Sequence, residues 1–281
     1  MKKAILVFTK VPRVGDCKTR LTEARGGILT YEEATQFYEA CVLDVMDVCL
    51  SVEEADFWIC YNMDGDRPYL DTLLAQVKHP ERIAGVFSDQ GGSFDDCMQY
   101  ATDYILKSGA QERLADAVLI SGGDLPTLQP HILKDALKKL EVLSHSEAGY
   151  KVALRKVQDQ DGMEIGAALV EGACQEGGFS LVGLTCTTDF DFHSVFYNMD
   201  GVTALDMLAA KAIREELPLA YVEEVPDVDI PVDLASQIPM LRVIEHAARY
   251  DDLIMVPHRT IGILNQLGIE SVALPPEKKP V

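Results

Sequence analysis

The chain has 281 residues, 48% of them hydrophobic, and a formal net charge of −20. That length accommodates one large α/β domain or two small ones around a substantial core. So negative a field repels phosphate chains, which excludes nucleic acid and anionic membrane surfaces as partners, whereas a small phosphorylated ligand brought in with a cation is compatible with it.

No apolar run approaches the roughly 20 residues of a membrane span. The start "MKKAILVFTK" has only Ala4 to Thr9 between lysines, short of a secretory apolar region of about 7–15 residues, and it reads as a strand. Seven cysteines, at 17, 41, 49, 60, 97, 174 and 186, include no C-x-x-C pair. Reduced thiols are the expectation, over a disulfide or zinc framework, and with them a cytoplasmic location.

In chain order, "AILVFT" (4–9) is a strand apolar on both faces. A helix follows over 31–50, with Thr30 and Glu33 forming a capping box. Strands at 56–62, 82–89 and 116–124 alternate with helices through "RPYLDTLLAQV", from Phe94 to Lys107 and from His131 to Leu143. Strand and helix repeated four times predict right-handed crossovers and a mostly parallel sheet. Beyond that, "YKVALRKV" and "MEIGAALVEG" flank a turn at Asp161-Gly162 and read as a hairpin. A strand at 177–184, a helix near 202–216, a strand at "LAYVEEV" and a helix ending near Tyr250 follow, and the tail adds a strand, a helix and a strand.

In open parallel sheets ligands bind outside the carboxyl ends of strands near a switch in strand order. Three charged segments fall at such ends. The first, "VFTKVPRVGDCKTRL" (7–21), carries Lys10, Arg13, Lys18 and Arg20. Backbone N–H groups near Gly15, with the Lys18 and Arg20 side chains, suit phosphate and a leaving diphosphate. It is not a P-loop, because Cys17 stands where the glycine before Lys18-Thr19 is required, and no G-x-G-x-x-G fingerprint is present. A solvated basic loop is the plain alternative.

The second segment, "SGGDLPTL" (121–128), sets Asp124 after Gly122 and Gly123, where a hard divalent cation can bridge it to phosphate. A helix N-cap or turn Asp is the common alternative use. The third, "VPDVDIPVDL" (225–234), offers Asp227 and Asp229 as further oxygen ligands for Mg²⁺ or Mn²⁺, against a reading in which Asp229 caps the helix at Pro231. Glu176, before Gly177 and Gly178, can orient an acceptor hydroxyl or act as base, or lie in an exposed turn. His193, His246 and His258 have no partner at metal-ligand spacing. Cys17 lies beside Lys18, a cation able to lower its pKa, but no base or oxyanion site accompanies it.

Taken together, "VFTKVPRVGDCKTRL", "DQGGSFDDCM", "LISGGDLPTL", "EGACQEGGFSLVGL" and "VPDVDIPVDL" resemble, in the same order, the motifs of a GT-A-type glycosyltransferase family. That family is similar to the nucleotide-diphospho-sugar transferase superfamily, which also holds molybdenum cofactor guanylyltransferase and phospholactate guanylyltransferase. The resemblance spans about Lys3 to Ala235. It implies an α/β Rossmann-like GT-A fold, a mostly parallel sheet flanked by helices, with a small hairpin region and a C-terminal appendage. The expected division is a transferase-like domain over 1–250 and an extension over 251–281.

By motif, Lys10, Lys18 and Arg20 match the phosphate-contacting basic positions, alongside Gly15, Gly122 and Gly123, while Asp124 and Asp229 match the metal carboxylates. Lys18, Arg20 and Glu176 take the catalytic roles. Glu176 stands where the family has Asp in "DGGYxLxGL", and Phe179 replaces its Tyr, which alters the reach of the acid. The implied activity is metal-dependent transfer from a nucleotide-activated substrate. Glycosyl transfer from a nucleotide sugar to a small acceptor comes first and nucleotidylyl transfer from an NTP second. A non-catalytic nucleotide-binding protein stands as the third reading. The region 145–163 and the tail beyond about 250 fall outside the resemblance, and shaping the acceptor site or a homo-oligomer interface are the roles open to them.

Overall fold

A computed structural model describes residues 1–272 of the chain. The first half runs β1 (Lys3–Thr9), α1 (Tyr31–Leu50), β2 (Asp56–Tyr61), α2 (Arg67–Leu74), β3 (Ile83–Ser88), α3 (Phe94–Leu106), β4 (Ala117–Gly122) and α4 (Pro130–Ser144). The second half runs α5 (Glu147–Val152), β5 (Val157–Gln158), β6 (Glu164–Ile165), β7 (Leu169–Ala173), β8 (Phe179–Thr185), α6 (Ala204–Arg214), β9 (Leu219–Val222), α7 (Pro231–Ala247) and α8 (His258–Leu267).

The central strands β1, β2 and β4 are apolar on both faces, and that dictates two helical layers. Ile5 and Val7 of β1, Phe57 and Ile59 of β2 and Leu119 of β4 pack with α1, α2 and α4. Ala4, Leu6, Cys60, Val118 and Ile120 point the other way, against α3 and α6. α1 starts at the expected capping box: Thr30 Oγ1 accepts from Glu33 N at 3.1 Å, and Glu33 Oε2 accepts from Thr30 N at 2.8 Å. Its outer side is covered in turn by α7 and α8, through Phe37 and Cys41 against Val228, Leu234 and Leu264. A helix covered on both sides explains why Asp44 and Asp47 are buried in it. Arg259 Nη1 donates to Asp44 at 3.2 Å and to Asp47 at 2.7 Å, and the amides of Thr260 and Lys78 complete the two carboxylates.

The main sheet has seven strands in the order β3-β2-β1-β4-β8-β7-β9. β1 is parallel to β2 and β4, β2 to β3, and β7 to β9, while β8 lies antiparallel between β4 and β7. The mostly parallel sheet flanked by helices is therefore as expected. The strand order reverses between β1 and β4, which places a crevice at their carboxyl ends. Because β9 runs in the direction of β1, the segment after it opens on that same rim.

Two stretches differ from the sequence reading. The hairpin is reduced to β5 and β6, paired antiparallel over two residues each. Ser146 caps a short helix, its hydroxyl accepting from Gly149 N at 3.0 Å, so "YKV" becomes α5. After β6 the chain turns aside to bond the α4–α5 corner, Gly166 N to Ser144 O at 2.7 Å and Ala167 N to Gly149 O at 2.9 Å, before β7 joins the main sheet. Among the described residues of the tail only α8 forms. "DLIMV" makes no strand because the Gln129 amide takes both backbone groups of Met255, at 2.9 Å each, in place of a neighbouring strand. The last expected strand lies largely outside the described residues. Among the described residues no helix is long and apolar enough to cross a membrane. All seven cysteines are free thiols, and only Cys97 is not buried.

Candidate active site

The loop after β1 turns at Gly15, whose φ of 87° suits glycine, with Asp16 N donating to Arg13 O at 3.1 Å. Three residues on, Lys18 is itself left-handed, with φ 48° and ψ 35°. That conformation turns its side chain inward. Its ammonium donates to Asp124 Oδ2 at 2.5 Å and to Asp229 Oδ1 at 2.6 Å, and the side chain is only 7% exposed. Arg20 Nη1 reaches the other oxygen of Asp229 at 3.3 Å. Under the ammonium lies the Tyr38 ring, 5.6 Å to its centroid. The Tyr38 hydroxyl is fixed by Thr9 Oγ1 at 2.8 Å and accepts from Lys10 N at 3.2 Å.

Asp124 is placed by the two glycines before it. A Cβ on Gly123 would sit 2.7 Å from Thr9 Oγ1 and 3.0 Å from Val42 Cγ2, and one on Gly122 would sit 2.9 Å from Asp124 Oδ1 and displace that carboxylate. Asp124 does not cap α4, whose N-cap is Gln129. Nor does Asp229 cap α7. The carboxylate of Asp233, in the first turn of that helix, accepts from both Asp229 N and Ile230 N at 2.9 Å, leaving the Asp229 side chain to the site. The preceding loop is gripped by two side-chain amides, Gln175 on Asp227 O at 2.8 Å and Gln237 on Pro226 O at 2.9 Å.

These charges control one another. Burial works against the Lys18 ammonium, but Asp124 and Asp229 overrule it and hold its pKa well above the usual lysine value. Burial likewise lifts Asp229, and Lys18, with Arg20 beyond it, pulls its carboxyl below the usual range. Asp227 has burial and then the charges of Asp124 and Asp229 against it, and is pushed up to about 7. Cys17 also rises through burial, which outweighs the neighbouring lysines. The lowering expected from Lys18 is not what governs it, and the thiol is not activated.

A cavity of about 420 Å³ opens here. Lys10, Lys18 and Arg20 line it, and so do Gly122, Gly123 and the carboxylates of Asp124, Asp227 and Asp229. Gly15 shapes the loop without lining the cavity. Arg13 points to solvent and pairs with Asp16 at 3.2 Å. Glu176 is exposed, at φ 61°, in the tight turn between β7 and β8, outside the cavity lining. Tyr38, Gln175 and Gln237 have no local signature in the sequence. Tyr38 reads as one more apolar position on α1, and the two glutamines act through backbone groups distant along the chain.

Asp124 and Asp229 fit a dication by chemistry. They present two hard oxygens that already converge on one positive atom, the Lys18 nitrogen. Among the described residues no group of three or more His, Cys, Asp or Glu is arranged to hold a metal by itself. A dication here would therefore complete its shell with water and ligand oxygens, as magnesium commonly does.

The profile of a family described as "uncharacterized protein conserved in bacteria" (DUF2064) matches residues 45–199, more than half of the chain. The chain belongs to the DUF2064 family. No curated protein matches it. Among solved structures, a candidate nucleotide-diphospho-sugar transferase from Desulfovibrio desulfuricans G20 is 21% identical over 95% of this chain and 96% of that one, with a TM-score of 0.68. At that identity the likeness establishes the fold, which this DUF2064 member shares. A nucleotidyl transferase from Methanothermobacter thermautotroptrophicus is 13% identical over 88% of this chain and 99% of that one, at a TM-score of 0.46. The 4-diphosphocytidyl-2C-methyl-D-erythritol synthase from Anaerococcus prevotii DSM 20548 is 14% identical over 85% and 96%, at 0.41. The two lower scores carry no weight.

Proposed function

We propose that this chain is a divalent-metal-dependent transferase acting on a nucleotide-activated substrate. The observation that carries the reading is the convergence of Lys18, Asp124 and Asp229 from three distant segments at the switch in strand order, inside one cavity. Lys18, Arg20 and Lys10 would bind the phosphates, with Gly122 and Gly123 keeping the strand end open to them. Asp124 and Asp229 would hold Mg²⁺ or Mn²⁺, which when bound neutralises charge developing on a departing diphosphate. Preorganised cations in a partly desolvated cleft stabilise such charge more than water does.

Glycosyl transfer is the first reading: the acceptor takes the sugar and a nucleoside diphosphate leaves. The two cations on one loop also suit nucleotidylyl transfer, in which an acceptor phosphate attacks the α-phosphate and pyrophosphate leaves. Glu176 enters neither reading as a residue of the cavity.

The test is thermal stabilisation by a panel of NTPs and nucleotide sugars with Mg²⁺ or Mn²⁺. At least one nucleotide raises the melting temperature in a metal-dependent way. Asp124→Ala abolishes the metal dependence with the fold intact, and Lys18→Ala weakens the nucleotide. Absence of any nucleotide effect overturns the transferase reading. Released pyrophosphate against released nucleoside diphosphate then separates the two reactions.

A further inference from the structure

The cavity has two unlike halves. Opposite the charged rim it is lined by Phe8 at the end of β1, Phe94 and Met98 on α3, Phe179 and Val182 on β8, and Phe196 in the loop after β8. The rings form a continuous wall. Phe8 meets Phe94 at 5.5 Å, Phe94 meets Phe196 at 4.6 Å, and Phe196 meets Phe179 at 5.1 Å between centroids. Phe94 is exposed and Phe179 and Phe196 are half-buried, so ring surface is available to a ligand. Ser180, the hydroxyl set among them, is nearly buried and donates its proton to the Gly172 carbonyl at 3.2 Å.

The wall is built rather than loose. Asp95, buried in the first turn of α3, accepts from Ser194 N at 2.9 Å and from Phe196 N at 2.8 Å. Lys211 ties down the same loop through the Asp191 carbonyl at 2.7 Å and the His193 carbonyl. Phe196 is thus held in place before any ligand arrives, which lowers the ordering cost of binding.

A group rich in hydroxyls placed against this wall would lose water and find no partner, and each unpaired hydroxyl lowers affinity about tenfold. A nucleoside has a better seat beside the basic loop, where Asn62, which accepts from Val11 N at 2.7 Å, and Asp89, which accepts from Met63 N at 2.7 Å, follow β2 and β3 and retain further hydrogen-bonding capacity. We propose that the aromatic wall holds an aryl or alkyl part of the acceptor, whose single nucleophilic end faces the carboxylate rim. The acceptor is then an amphipathic small molecule and not a polyol. This rests on the transferase reading and adds the acceptor class to it.

The experiment is ligand-observed saturation-transfer NMR on the full chain in Mg²⁺, with benzyl alcohol and 2-phenylethanol against glycerol and myo-inositol. The nucleotide-induced melting shift is recorded on the same samples. The aryl alcohols give transfer and the polyols do not. Phe196→Ser and Phe179→Ser weaken aryl binding about tenfold, while Phe196→Leu keeps part of it. Equal binding of polyols, or an aryl signal that survives both serine substitutions, overturns the inference. A nucleotide shift without aryl preference sinks the inference alone, whereas aryl preference without any nucleotide shift overturns the transferase reading and, with it, the acceptor role of the wall.

Discussion

Lys18 carries the most consequential geometry in the chain: one ammonium, a left-handed backbone and two carboxylates from opposite parts of the sequence. Removing it leaves Asp124 and Asp229 facing each other without a counter-charge. Lys18→Met therefore destabilises the ligand-free protein by about 2 kcal/mol, moderated because Asp229 is partly exposed. Mn²⁺ alone raises the melting temperature of that variant more than that of the parent chain. An equal rise in both would show that the dication does not go between these carboxylates. The sequence presented Lys18, Asp124 and Asp229 as candidates because each lies in a charged segment at the carboxyl end of an expected strand. It could not separate a ligand from a cap, because Asp229 and Asp233 both precede or open the same helix. Only the contacts show that Asp233 takes the cap. Glu176 stands outside the cavity lining, and its sequence context is ambiguous for a related reason: a carboxylate before two glycines suits a site and a surface turn equally.

At the scale of elements, α7 positions the third segment of the site as well as packing under α1. Its Asp233 supplies acceptors for two amides that would otherwise be orphaned at the helix start. Asp233→Ala costs about 1 kcal/mol, measured by urea unfolding, and weakens metal-dependent nucleotide stabilisation because Asp229 loses its anchor. Normal metal dependence in that variant would show that the cap is only structural. The β–α repeats of the first half were legible because apolar runs of strand length alternate with helical patterns and the first helix carries its own start signal at Thr30. The stretch from Ser144 to Ile165 was not, since hairpin spacing and a serine-capped turn of helix compete over the same residues. There tertiary bonds to the α4–α5 corner decide the outcome.

For the whole molecule, the tail is bound to the core by charge as well as by apolar contact. Arg259 is the partner of two nearly buried aspartates on α1. Truncating it removes the counter-charge from both and leaves them only backbone amides, so Arg259→Ala lowers stability by about 3 kcal/mol, read by chemical denaturation. A change below 1 kcal/mol, roughly that of an exposed ion pair, would mean that water replaces the guanidinium there. This link was invisible in the sequence, where Asp44 and Asp47 look like the polar side of an amphipathic helix. The same long reach governs how the protein comes into being. Lys18 meets Asp229 across 211 residues, and Arg259 meets Asp44 across 215. Contacts of such span close late and slow folding. During synthesis β1 to β4 and their helices can pack before Asp229 is made, with Lys18 facing Asp124 alone. The sheet is thus largely assembled before the segment that carries Asp229 can close the proposed site.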